Sequence, residues 1–155
     1  MNGKPMCILL FCSALAQASG PLPRFEGAPR FAAGVAGVAH TLVISRWQVD
    51  RKGVPSFDYK YEQRAGGCRF QISGHAVGVF DIVKGKVELV VFNPEDETGA
   101  ERPAIVVFED GAATLTLRAD GSLREVRLSS PVPQLQRERV CAKGDQDGLS
   151  ITLHR

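Results

Sequence analysis

Nothing in this chain is apolar for long enough to cross a bilayer as a helix. Its one sustained apolar run, Met6 to about Ala16, falls short of the ~20 residues a spanning helix needs. There is no Cys-x-x-Cys pair, so the common zinc-binding spacing is missing. The G-x-S-x-G elbow of serine hydrolases is absent, and so is the D-x-[DN]-x-[DN]-G calcium loop. Neither sign of charge dominates: 19 Lys and Arg stand against 17 Asp and Glu, interspersed along the chain. Without a basic stripe, nucleic acid is not an expected partner. Helical apolar spacing is also scarce, and only "PQLQRERV", Pro133 to Val140, fits a single polar turn.

What is present begins with "MNGKPMCILLFCSALAQASG". A lysine, a short apolar stretch and Ala16-Gln17-Ala18 together match a secretory signal peptide cleaved near Ala18. Residues 1–18 are therefore expected to direct the chain to the periplasm or outside the cell. Cys7 and Cys12 leave with that peptide, and Cys68 and Cys141 have only each other to pair with. Residues 19–40, rich in Gly, Ala and Pro, predict a flexible leader, with Phe25 and Phe31 as its candidate anchors.

From Thr41 to Arg155 the pattern is that of one all-β domain. Phe57, Tyr59 and Tyr61 alternate with Asp58, Lys60 and Glu62, a period of two. The same alternation runs through "CRFQIS", "KVELVVF", "ATLTLRA" and "LSITLHR". Lys84-Gly85, Asp110-Gly111, Asp120-Gly121 and Asp147-Gly148 supply tight turns between these runs. The spacing predicts a small antiparallel barrel or sandwich of about eight or nine strands, closed by a Cys68–Cys141 disulfide. Strands of about 6 to 8 residues are expected, shorter than those of an outer-membrane barrel.

Three features are candidates for chemistry. Ser73 and His75 stand two apart, on one face of a strand, and are the only pair suggesting an envelope hydrolase. The glycines beside them, Gly74 and Gly78, fit a bulge or bend, and the stretch reads better as structure. His40 and His154 lie at the leader boundary and near the C-terminus, where exposed or edge positions are expected. Glu95, Asp96, Glu97 and Glu101 sit in a Gly- and Pro-bounded loop whose spacing fits a solvated hairpin rather than a cation site. No metal or organic cofactor is expected.

The remaining signal is aromatic. Trp47, Tyr59 and Tyr61, with Phe57 and Phe70, cluster in the first strands and form either core or a binding face. The general format is similar to that of secreted lysozyme inhibitors and other periplasmic β-barrel binding proteins. "SGHAVGVFDIVKG" resembles the Ser-Gly loop and downstream Lys-Gly of bacterial c-type lysozyme inhibitors. Val77 stands where tyrosine is expected and Asp81 where tryptophan is, so no residue role carries over. The expectation is an exported, non-catalytic domain that binds a protein or a small apolar ligand. Its rivals are the Ser73/His75 hydrolase and an accessory subunit that completes another protein's sheet.

Overall fold

The computed structural model describes residues 24–131, 140–141 and 148–155. The expected signal peptide with its cleavage site, and all but the end of the expected turn at Pro133–Val140, lie outside the described residues. The described chain forms β1 (Arg30–Val35), β2 (Val38–Val49), β3 (Pro55–Ala65), β4 (Cys68–Gly78), β5 (Phe80–Val83), β6 (Lys86–Leu89), β7 (Val91–Phe92), β8 (Ile105–Glu109), β9 (Thr114–Arg118), β10 (Glu125–Ser130) and β11 (Leu149–His154). The neighbour order is β4-β3-β2-β1-β11-β10-β9-β8, and β8 pairs back to β4 through Val77–Glu109 and Gly78–Phe108. Eight antiparallel strands thus close a barrel. β7 is an extra strand on β8, and β5–β6 is a separate hairpin inserted before it. The choice between sandwich and barrel falls to the barrel.

Local sequence explains the path. Ala36-Gly37 and Lys84-Gly85 form two-residue turns with both φ angles positive, matching the right-handed twist of the strands they join. In β3 the alternation sends Phe57, Tyr59, Tyr61 and Gln63 inward and Lys60 and Arg64 outward. β2 sends Val38, His40, Leu42 and Ile44 inward, then shifts register between Ser45 and Gln48, with Arg46 at φ 53°. That bulge turns Trp47 toward the core.

Several expectations need correction. The stretch 19–40 holds all of β1 and the start of β2, so the folded domain begins by Arg30 and not at Thr41. Within β1, Ala32, Ala33 and Gly34 carry little apolar signal, although Phe31 is fully buried. Phe25 also anchors, packing against Trp47 and Phe57 at ring separations of 5.3 and 5.8 Å. β2, β3 and β4 run to 12, 11 and 11 residues, longer than expected. The outward faces of β3 and β4 nevertheless carry charged residues, Asp58, Lys60, Glu62, Arg64 and Arg69, over an apolar interior, the reverse of a transmembrane barrel's polarity. No helix among the described residues is long and apolar enough to cross a membrane.

The disulfide between Cys68 and Cys141 is formed, with its Cα atoms 5.6 Å apart. It ties the start of β4 to the connection between β10 and β11. Beside it, the Cys141 amide donates to Gln63 Oε1 at 3.1 Å.

Candidate functional site

The three aromatic residues singled out from sequence all turn to the inside of the barrel, at different heights, and form no outward binding face. Trp47 sits at one end of the barrel, 6.2 Å from Phe57 and 5.9 Å from Phe108 between ring centres. Tyr59 lies midway along β3 and Tyr61 toward the other end, both buried. Phe31, Leu42, Ile44, Leu115, Leu117, Val126, Leu128 and Leu153 occupy the interior between them. An eight-stranded barrel has room for about this much side chain. The aromatic cluster is core.

Each tyrosine hydroxyl is accounted for. Tyr59 donates to Asp110 Oδ2 at 2.9 Å, and burial, followed by that carboxylate, pushes its pKa well above the ordinary tyrosine value. The Tyr61 hydroxyl lies 2.8 Å from His40 Nδ1 and accepts from Gln63 Nε2 at 3.0 Å; burial pushes its pKa up to about 12. His40 is 3 % exposed, contrary to the edge position expected of it. Its place in the inward register of β2 puts it there, and desolvation lowers its pKa. His40 Nε2 is buried with no hydrogen-bond partner. Pattern alone offered one clue, the register Val38–His40–Leu42–Ile44.

Ser73 and His75 stand on the outer face of β4, both exposed. They lie within the strand and not in a loop, because the β3–β4 ladder runs unbroken from Ser56–Val77 to Ala65–Cys68. His75 Nδ1 is 2.8 Å from Asp58 Oδ1, its cross-strand neighbour, and Arg46 holds the other Asp58 oxygen at 3.2 Å. A carboxylate orienting an imidazole is two-thirds of a catalytic triad. Ser73 does not complete it. It pairs with Lys60, two ladder positions from the His75–Asp58 pair, and has no hydrogen bond to His75. Asp58 was missed from sequence because its partner is 17 residues away.

The two glycines of that stretch are close-approach positions rather than bulges. A Cβ on Gly74 would stand 1.8 Å from Asp110 Oδ2, and one on Gly78 would stand 2.6 Å from Leu89 Cδ2. The acidic loop resolves differently again. Asp96 Oδ1 accepts from the Thr98 amide and hydroxyl and from the Ala100 amide, which caps the turn and lowers its pKa. Glu95 and Glu101 face each other in an isolated bridge.

The candidate contact surface lies where β4 leaves the barrel. Of six exposed large apolar residues among the described ones, Val77, Phe80, Ile82 and Phe92 fall within one short stretch. Leu89 against Gly78 seats the β5–β6 hairpin on the barrel, and Val87 lies beside Gly53. Phe80 faces Leu89 and Ile82 faces Val87, so all four share one side of the hairpin. Half of that side is seated and half is open, with Ile82 70 % exposed. A shallow cavity of about 320 Å³ between Val77, Gly78, Val79, Phe80 and Glu109 adjoins it. No protein-family model, curated protein or solved structure matches this chain.

Proposed function

We propose that this disulfide-stapled barrel is a non-catalytic domain that binds a protein partner in the cell envelope, through the apolar strip Val77–Phe80–Ile82–Phe92. The observation that carries this is the concentration of exposed apolar side chains on one hairpin and the adjoining seam, while the interior is filled. Exposed apolar side chains gathered in one part of a fold favour a contact role there. A filled interior leaves an apolar small ligand nowhere to enter, so the protein partner is favoured over the carrier. The hydrolase reading is weaker for want of a Ser73–His75 hydrogen bond. Export is supported by the signal-like residues 1–18 and by a disulfide, which persists in oxidising compartments.

The test is crosslinking and affinity capture in the native envelope, comparing the wild type with the Phe80→Asp, Ile82→Asp double variant. A specific partner should be captured by the wild type and lost at least tenfold with the variant, while both melt at similar temperatures. Equal capture by a folded variant overturns the surface. Ester or peptide turnover that disappears with Ser73→Ala overturns the non-catalytic reading.

A further inference from the structure

β4 is eleven residues long, but among the described residues it has a second neighbour only at its C-terminal end. There Val77 meets Glu109, Gly78 meets Phe108, and Val79 donates to Val107 at 2.9 Å. β8 ends at Glu109 and the chain turns away at Asp110. The two-residue loop Gly66-Gly67 makes Ala65–Cys68 the closing hydrogen-bonded pair of the β3–β4 hairpin. Bonds to β3 then fall on the even-numbered residues of β4, and the backbone N–H and C=O of Arg69, Gln71 and Ser73 point away from β3. The Val79–Val107 bond keeps the same parity. Among the described residues nothing pairs with those three.

This open edge has fixed ends. At one end Asp110 stands against Gly74, and at the other Cys68 is bonded to Cys141. Five residues, Arg69 to Ser73, lie between, about 17 Å of strand. Ile72 points inward with Phe70, yet it is only half-buried where no described strand adjoins β4. On the outer side, Arg46, Lys60, Arg64 and Arg69 outnumber Asp58 and Glu62. Glu62 alone serves both Arg64 and Arg69, which leaves that cluster net positive.

The geometry points to strand addition at this edge by an extended, acidic segment of a partner protein, running antiparallel to β4. Side chains opposite Arg69 and Ser73 would be carboxylates, meeting Arg69 and reaching toward Lys60. Those opposite Phe70 and Ile72 would be apolar and face inward, completing the cover of Ile72. Main-chain bonds supply affinity in this mode and alternate side chains supply selection. The surface is separate from the Phe80–Ile82 strip and does not rest on it.

The probe is the peptide acetyl-Glu-Val-Thr-Val-Glu-amide, titrated into the disulfide-bonded, isotope-labelled chain and followed by amide shifts and hydrogen exchange. Binding should shift the amides of Arg69, Gln71 and Ser73 and slow their exchange at least tenfold. N-methylation at the first, third and fifth peptide residues should weaken binding tenfold or more, whereas methylating the two valines should not. Lysine in place of both glutamates should weaken it similarly, and Arg69→Glu should reverse that preference. Phe80→Asp with Ile82→Asp should leave peptide binding unchanged, which separates this site from the apolar strip. Absence of binding at millimolar peptide overturns the inference. Shifts confined to other strands do so too, as does equal loss from both methylation patterns.

Discussion

The Tyr59 hydroxyl donates to Asp110 across the barrel seam, and Gly74 leaves the space in which they meet. Asp110 Oδ1 accepts from the amides of Ala112 and Ala113, so one carboxylate both caps the β8–β9 turn and ties it to β3. Gly74→Ala puts a methyl group 1.8 Å from Oδ2 and should cost roughly 1–3 kcal/mol, read as a lower midpoint in urea unfolding. Adding Asp110→Ala to Gly74→Ala should cost less than the two changes summed, because the collision is removed. Strict additivity would show that the crowding is relieved elsewhere.

Acid should destabilise the barrel through His40. Burial holds its folded pKa below the ordinary 6.5, so the neutral form is the one the fold accepts. Its hydrogen-bond partner is Tyr61, which in turn accepts from Gln63, and neither side chain carries a countercharge at neutral pH. The unfolded chain binds a proton near 6.5 and the folded chain only lower. Stability is therefore full above 6.5 and falls as pH drops through the folded value. Melting temperatures from pH 7.5 to 4.5 should decline in the wild type and decline less in His40→Asn, which keeps a group facing the Tyr61 hydroxyl. Parallel profiles would remove His40 as the cause.

Alkali should act through the tyrosines with the opposite sign. Burial raises both Tyr59 and Tyr61 above the ordinary 10.0, Tyr61 to about 12. Unfolded tyrosines ionise near 10 while the folded ones remain protonated. The stabilisation is complete below 10 and is lost progressively as pH climbs toward 12. Ultraviolet titration of the native protein should show little tyrosinate at pH 10.5, and urea unfolding at pH 11 should have a lower midpoint than at pH 9. Free ionisation of both rings near 10 would contradict their burial.

Much of this architecture could be read from letters alone, because a two-residue period and tight turns depend only on neighbours. Leu149, Ile151 and Leu153 fall inward as their alternation says, and cysteine counting yields the Cys68–Cys141 pair. The unreadable parts depend on distant chain. Alternation in Phe57–Tyr59–Tyr61 shows that one face is apolar, but whether it lines a ligand site or fills a core depends on how the opposite wall packs. β1 shows no alternation in its letters, because its inward signal is a single residue, Phe31. Asp110 looks like any Asp-Gly turn until Tyr59, 51 residues earlier, is brought beside it. That β4 meets β8 only at Val77 and Gly78, among the described residues, follows from the short length of β8, which no local pattern encodes.

The disulfide bears on how the strand-paired wall and the β10–β11 connection share stability. Cys68 and Cys141 are 73 residues apart, and restricting so long a loop in the unfolded chain contributes about 4 kcal/mol in the chain-entropy model. The surrounding ladders are continuous without it: β3–β4 holds ten registered pairs up to Ala65–Cys68, and β10–β11 holds six. The Cys68→Ser, Cys141→Ser variant should therefore unfold at lower urea, with a loss of about 4 kcal/mol, while keeping a β-dominated circular-dichroism spectrum. Hydrogen exchange should localise the added opening to the end where Gln63 joins Tyr61 to the Cys141 amide, leaving the Trp47–Phe57–Phe108 end protected. Uniform loss of protection through both ends would mean that the crosslink supports the barrel as one cooperative unit.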